Sequence, residues 1–228
     1  MDTSCLHTDE FKNSLRDYFY LINRHYPEKG TLKLVGDRYK LNGDQRTVLY
    51  RGISSEIKAE ERRIRLTDEI NDQYLVIDGY NVLFTILNYR LGRILFLSND
   101  SIVRDAGSLH GKLRDEDIFI ESLQLLFDFL IRFKPAFVHF YIDAPVSHSA
   151  VHCKKINEMI NMYHLSGICE IARSPDHNIK QFKEGIILSS DTIIIDQTSN
   201  YIFDLPHHLL KSRFKARLFD LNRLLAER

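Results

Sequence analysis

The chain has 228 residues, enough for one large domain or two small ones, and its 44% hydrophobic content supports a real core. Its 31 basic and 31 acidic residues cancel, but the first 65 residues carry a net +3 and the rest a net −3, a weak indication of a polyanionic partner. There is no charged-then-apolar leader and no bilayer-length apolar run, so we expect a cytoplasmic protein without a membrane segment. The three cysteines are widely separated, which predicts reduced thiols rather than a disulfide framework.

The front of the chain predicts a small helical domain. A first helix follows Thr8, where apolar residues recur at three- and four-residue spacing until Pro27 and Gly30 end the pattern. Further short helices are predicted to begin near Thr31, Asn42 and Ser54. No strand is predicted before Gln73, so residues 1–66 are assigned to an all-helical domain.

Basic residues cluster around the predicted turns of this front domain. Their spacing is consistent with a nucleic-acid-binding face made of Arg38, Lys40, Arg46 and Arg51. The alternative is a solvated surface on which these charges are balanced by Asp37, Asp44 and Glu56. The tyrosines among them allow two interpretations as well, because they can stack on bases or pack the core of the domain: Tyr18, Tyr20, Tyr26, Tyr39 and Tyr50.

The stretch QYLVIDGYNVLF, residues 73–84, predicts the first buried strand of a parallel sheet. Four apolar residues end at Asp78, and Gly79 allows a tight turn into the next helix. Ligands bind at the carboxyl edge of open α/β sheets, so a carboxylate there is well placed for chemistry. Asn81 is expected to cap a helix that begins at Val82 while its amide reaches the same cleft, and the plainer alternative is that Asp78 merely caps that helix.

The rest of the chain alternates short apolar runs with helical stretches, the pattern of a βαβ sheet over residues 67–228. A glycine-containing region of mixed pattern, residues 92–114, is followed by a helix over 117–133. The runs FVHFYI (137–142) and IIL (186–188) predict further strands, and residues 192–205 predict a hairpin around QTSN.

Aspartates follow three of the predicted strands. Asp78, Asp143 and Asp191 stand at the strand ends, and Asp176 opens a helix before the last of them. Neighbouring parallel strands would bring these carboxylates together, and like charges so close need a cation or raised pKa values. Mg²⁺ or Mn²⁺ is the natural occupant of an all-oxygen site and can activate water for phosphodiester hydrolysis.

The motifs VIDGYN, FYIDAP, PDHNI and LSSD resemble, in this order, the motif series of the PIN/NYN-like nuclease superfamily. The fuller pattern, with LKLVGDRYKL and QRTVLYRG in front, is similar to an uncharacterised family that joins a small helical domain to a PIN-like domain. The resemblance implies a three-layer α/β/α sandwich, RNA cleavage with Mg²⁺ or Mn²⁺, and metal-site positions at Asp78, Asn81, Asp143, Asp176 and Asp191. It also implies a further acid in an intervening helix, for which Glu116, Asp117 and Glu121 are alternatives.

Two other motifs are considered. His148 and His152 share a helix face beside Cys153 but supply too few ligands for zinc, and we interpret them as a surface or half-buried pair. The chain contains neither GxxxxGK[ST] nor GxGxxG, which leaves nucleotide binding through a glycine loop unsupported.

The hypothesis from the sequence is therefore a metal-dependent endoribonuclease. Asp78, Asp143 and Asp191 ligate the metal, Asp176 assists and Asn81 orients a ligand or substrate. RNA is the expected partner, with phosphate contacts from Arg104, His110 and Arg114, and a homodimer is considered. The alternative is a catalytically silent nucleic-acid-binding or adaptor protein in which the sheet survives as a scaffold.

Overall fold

A computed structural model describes residues 2–107, 116–144, 146 and 148–227. Its helices are α1 (Asp9–Ile22), α2 (Glu28–Arg38), α3 (Gly43–Gly52), α4 (Glu56–Arg63), α5 (Gly79–Arg90), α6 (Glu116–Leu130), α7 (Ser149–Met162), α8 (Pro175–Ile179), α9 (Thr192–Asp196), α10 (Leu205–Phe214) and α11 (Leu221–Ala226). Its strands are β1 (Tyr74–Asp78), β2 (Leu95–Leu97), β3 (Val103–Asp105), β4 (Phe137–Asp143), β5 (Gly167–Ala172), β6 (Ile186–Leu188) and β7 (Phe219–Asp220). His110 and Arg114, predicted to contact phosphates, lie outside the described residues.

The predicted helical front is confirmed, and local capping explains two of its helix starts. Thr8 accepts a hydrogen bond from the backbone N–H of Phe11, and Asn42 forms a reciprocal capping box with Gln45. The second helix begins at Glu28 rather than near Thr31, because Pro27 occupies its N-cap and Gly30 is accommodated inside it.

The chain divides into two compact units, and the first is discontinuous in sequence. It contains residues 2–64, 88–107 and 216–227. Its small sheet has the order β3-β2-β7, with β3 antiparallel and β7 parallel to β2. Residues 88–107 and 216–227, which the sequence assigned to the second domain, belong here because Phe96 and Leu221 share one hydrophobic core with α1 and α3.

The second unit, residues 65–87, 116–144, 146 and 148–215 among those described, is an α/β structure with a parallel sheet. The strand order is β5-β4-β1-β6, and every neighbouring pair is parallel. β1 and β6 are almost entirely buried, as expected for apolar strands covered by helices. Ile187 of β6 pairs on its outer side with Ile202, so this edge of the sheet is covered by backbone.

The predicted hairpin over residues 192–205 is wrong. Thr192–Asp196 forms helix α9, because the Asp191 side chain caps it and Ile194 and Ile195 are buried on one side of it. The isoleucine run had indicated a strand, since β-branched residues favour strands.

None of the helices in the described part of the chain is long and apolar enough to cross a membrane.

Candidate acidic site

The parallel sheet brings two of the predicted aspartates to one edge and one face. Asp78 is the last residue of β1 and Asp143 the last of β4. Asp78 pairs in register with Tyr141, and Tyr141 and Asp143 alternate onto the same face of the sheet. Asp191 follows β6 in the loop that leads to α9, so Asp78 and Asp143 lie at the carboxyl ends of parallel strands and Asp191 lies three residues beyond one.

Asp78 is buried, with 6% of its surface exposed. The Ser189 hydroxyl donates a hydrogen bond of 2.9 Å to its Oδ2 atom. Burial raises the pKa of Asp78 to about 8, and the charges of Asp191, Asp143 and Asp176 add to that rise, while the Ser189 hydrogen bond opposes it. At neutral pH and without a cation, this carboxyl group is therefore mostly protonated.

The neighbouring aspartates also affect the pKa of Asp143. Its pKa is raised first by burial and then by the charges of Asp176 and Asp191. Within the described parts of the chain, no lysine or arginine forms an ion pair with Asp78, Asp143, Asp176 or Asp191. The edge therefore groups four carboxyl groups that no described lysine or arginine neutralises through an ion pair.

Asn81 connects helix α5 to the loop after β6. Its Oδ1 atom accepts hydrogen bonds from the backbone N–H of Ser190 at 2.8 Å and from the Ser190 hydroxyl at 2.9 Å. The predicted capping role for Asn81 is wrong, because α5 already begins at Gly79 and Asn81 lies inside its first turn. Its amide instead connects the start of α5 to the loop after β6.

Asp191 and Asp176 both serve local structure. The Oδ1 atom of Asp191 accepts a 2.7 Å hydrogen bond from the N–H of Ile193, which caps α9, and its own N–H donates to Ser189 Oγ. Asp176 lies in the first turn of α8, where a carboxylate complements the helix dipole. These capping contacts leave Asp191 with one carboxylate oxygen not used by the cap.

The donor atoms suit a hard divalent cation in type, because they are carboxylate and amide oxygens. Their convergence is incomplete. Among residues 2–107, 116–144, 146 and 148–227, no three His, Cys, Asp or Glu side chains lie close enough together to hold one metal ion. Simultaneous ligation by Asp78, Asp143 and Asp191 would therefore require these side chains to move closer together.

A buried tyrosine–histidine pair adjoins the site, and no local sequence pattern predicts it. Tyr80 follows Asp78 by two residues, and its hydroxyl lies 2.9 Å from Nδ1 of His152 in α7. His152 is 5% exposed and packs against Phe119, with the ring centroids 4.3 Å apart. Burial lowers the pKa of His152. The expectation that His148 and His152 form a surface or half-buried pair is therefore wrong for His152, which is buried.

Arg104 is placed differently from the prediction. It is 2% exposed in the first unit, and its guanidinium donates hydrogen bonds of 2.7 and 2.8 Å to the two carboxylate oxygens of Asp100. Arg62 binds the same carboxylate at 2.9 Å. A buried guanidinium engaged in this way is not available to a phosphate, so Arg104 is withdrawn from the substrate-contacting set.

The four basic residues of the front domain fall into two groups. Arg46 binds Asp37 at 2.9 Å, and Arg51 binds the backbone oxygen of Asp105 at 2.8 Å. Arg38 and Lys40 are exposed, the Arg38 side chain by 71%. Arg46 and Arg51 therefore match the alternative of a solvated surface with balanced charges. Arg38 and Lys40 are accessible to a ligand.

Comparison with known proteins adds a family to this geometry. Residues 67–208 match the family described as "Domain of unknown function (DUF5616)", and residues 10–65 match the one described as "Protein of unknown function (DUF434)". The chain is 30% identical over 191 residues to "Uncharacterized protein MJ0935" of Methanocaldococcus jannaschii, an alignment that covers 83% of this chain and 91% of that protein. No solved structure matches. The chain belongs to the DUF5616 family, with a DUF434 segment in front of the matched domain.

Proposed function

We propose that this protein is a metal-dependent endoribonuclease whose parallel-sheet unit has a PIN-like architecture. The observation that carries the proposal is the group of four aspartates around one sheet edge, whose charges raise the pKa values of Asp78 and Asp143 without an ion-paired lysine or arginine among the described residues. If the four aspartates had only a structural role, we would expect neighbouring lysine or arginine side chains to neutralise their charges.

The layering of the second unit supports the PIN-like, three-layer interpretation. Phe127 of α6 stacks on Phe140 of β4, with ring centroids 5.7 Å apart. Ile179 of α8 packs with Val76 and Tyr141, whose side chains lie on the opposite face of the sheet from Phe140. Helices on both faces of a parallel sheet are the arrangement that the resemblance implies.

Asp78, Asp143 and Asp191 are the residues that would hold Mg²⁺ or Mn²⁺. When bound, such an ion supplies a water of lowered pKa and stabilises charge on a phosphoryl oxygen. Ser189 holds Asp78 in position through the hydrogen bond to Oδ2, and Asn81 holds the loop of Ser190. Since Asp78 carries a proton near pH 7 without a cation, metal binding would release it, which makes affinity rise with pH.

RNA contacts outside the acidic edge are assigned to the accessible basic residues. In this proposal Arg38 and Lys40, which are exposed, bind phosphates, and Arg46 and Arg51 do so only in part because they are engaged with Asp37 and Asp105. Asp176 remains close enough to influence both Asp78 and Asp143 electrostatically, which is the assisting position proposed for it.

A second candidate function is a catalytically silent nucleic-acid-binding or adaptor protein. The incomplete convergence of ligands among the described residues and the capping role of Asp191 favour it. In that case the acids would be retained for local structure, and the sheet would act as a scaffold.

Cleavage of a labelled single-stranded RNA by the full chain, with Mn²⁺ and with EDTA, distinguishes the two functions. We expect Mn²⁺-dependent cleavage that Asp78→Asn lowers at least about a hundredfold, because the metal supplies several kcal/mol of transition-state stabilisation. The matched control is Glu184→Gln, which removes an exposed carboxylate of the same unit and should retain activity.

Metal binding gives a second readout that does not depend on activity. Mn²⁺ should raise the Tm of the wild type, as a ligand of the folded state does, and should leave the Tm of Asp143→Asn unchanged. Full activity in EDTA would contradict the metal mechanism. Inactivity together with an absent Mn²⁺ shift would leave the scaffold function standing.

A further inference from the structure

Two arginine–tyrosine stacks lie next to each other on the surface of the first unit. We call the surface formed by Asp17, Tyr20, Arg24, Arg38 and Tyr39 the arginine–tyrosine surface. Its residues belong to the first unit, whereas the acidic edge belongs to the second, and it involves one residue, Arg38, of the phosphate-contacting set. All five residues belong to α1, to α2 or to the residues that directly follow these helices.

The first stack is formed along α1. The Arg24 guanidinium lies over the ring of Tyr20, with its carbon 4.6 Å from the ring centroid. Tyr20 is 56% exposed, so its ring is accessible to a ligand. Arg24 lies in the turn that follows α1, and its backbone N–H donates a 3.0 Å hydrogen bond to the carbonyl oxygen of Leu21, which holds this turn at the end of the helix.

The second stack is held in place by Asp17. The Tyr39 hydroxyl donates a 2.7 Å hydrogen bond to Asp17 Oδ2, and Arg38 Nε lies 3.9 Å from the same oxygen. The Arg38 guanidinium lies over the Tyr39 ring at 5.5 Å. Asp17 and Tyr20 are three residues apart on α1 and therefore neighbours, so the carboxylate anchors the second stack beside the first.

We propose that this surface binds single-stranded RNA, with bases stacking on the exposed Tyr20 ring and on the guanidinium groups of Arg24 and Arg38, and with phosphates contacting the same guanidinium groups. Planar tyrosine rings and guanidinium groups both stack on bases regardless of sequence, and the arginines also carry the charge that a phosphate needs. This inference rests on the proposed ribonuclease function only for the choice of RNA as the nucleic acid.

The same features disfavour other polyanions. An acidic peptide offers carboxylates but no aromatic base to stack on a tyrosine ring or a guanidinium group. In a duplex the bases are already stacked inside the helix and cannot reach the tyrosines. Single strands, whose bases are free, satisfy both the rings and the charges.

The test is binding of the full chain to a fluorescent single-stranded oligoribonucleotide in EDTA, where no metal-dependent cleavage occurs. Tyr20→Leu should weaken binding about tenfold, because loss of a stacking aromatic removes a contribution of that order. Tyr20→Phe retains the ring and should bind as the wild type does. Tyr201→Leu is the matched control, since Tyr201 is 61% exposed in the second unit and none of the described arginines lies over its ring.

Salt dependence separates stacking from charge. The Tyr20→Leu loss should persist as salt is raised, whereas Arg38→Ala should flatten the slope of log affinity against log salt by roughly 0.7. Equal affinity of Tyr20→Leu and wild type, equal loss in Tyr201→Leu, or tighter binding of a duplex or a poly-glutamate peptide would each overturn the proposal. Binding that behaves as expected without any Mn²⁺-dependent cleavage would sustain this inference and reject the nuclease.

Discussion

At the scale of a single residue, the raised pKa of Asp78 makes the stability of the metal-free protein depend on pH. Burial raises its pKa from about 3.8 to about 8 in the folded protein. The folded state then retains a proton that the unfolded chain loses above pH 4, so stability is full below that pH and falls as pH rises toward 8. At 1.36 kcal/mol per pKa unit, the loss has an upper limit on the order of 5 kcal/mol.

Asp78→Asn should remove this pH dependence in metal-free protein. The asparagine stays neutral and keeps a carbonyl oxygen to accept the Ser189 hydrogen bond, so the stability of the variant should exceed that of the wild type by more at pH 8 than at pH 5. Urea unfolding of both proteins in EDTA at these two pH values measures the effect. Glu184→Gln should follow the wild type, and parallel pH curves for wild type and Asp78→Asn would contradict the assigned pKa.

At the scale of elements, α7 closes the free edge of the sheet. β5 ends the strand order on that side, and edge strands with unpaired backbone groups invite pairing with other chains. Asn157 blocks the middle of this edge, since its Oδ1 accepts from the N–H of Cys169 at 2.9 Å and its Nδ2 donates to the carbonyl of Cys169 at 3.1 Å. The Asn157 side-chain amide thus forms the two hydrogen bonds to Cys169 that a neighbouring strand would otherwise form.

Asn157→Leu should destabilise the protein by about 2 kcal/mol, because it leaves two backbone groups of Cys169 without these partners. It should also promote association through the opened edge. Thermal melting and light scattering measure the two effects. The control is Asn161→Leu, one turn further along α7 at an exposed position, and comparable effects in both variants would show that edge closure is not the cause.

At the scale of the whole molecule, the first unit depends on three separate stretches of the chain. α3 ends at Gly52, and a Cβ atom at that position would meet the side chains of Leu221 and Phe96 at less than van der Waals distance. The three residues come from the three stretches that make up the unit. The absence of a side chain at Gly52 therefore allows them to pack together.

Gly52→Ala should cost about 1–3 kcal/mol, the usual effect of overpacking a core. Gly43→Ala is the matched control in the same helix, because a Cβ at Gly43 meets no atom of the described residues within 4 Å. Chemical denaturation of the two variants gives the comparison. If Gly52→Ala were as stable as Gly43→Ala, residues 88–107 and 216–227 would not pack against α3 as described.

The sequence by itself determined the features that depend on neighbouring residues. Apolar periodicity and the Thr8 and Asn42 caps predicted the front helices, and short buried runs predicted the parallel strands that end in Asp78 and Asp143. These signals are carried by a few consecutive residues, because helix and strand periods and caps are local properties of the backbone.

Only the tertiary structure decided which distant residues meet. It buried Arg104 against Asp100, turned residues 192–196 into a capped helix, and joined Tyr80 to His152, 72 positions later in the chain. It also assigned residues 88–107 and 216–227 to the first unit. Such outcomes depend on how side chains from separate elements fill a common core and satisfy one another's polar groups, and no local pattern in the sequence records that choice.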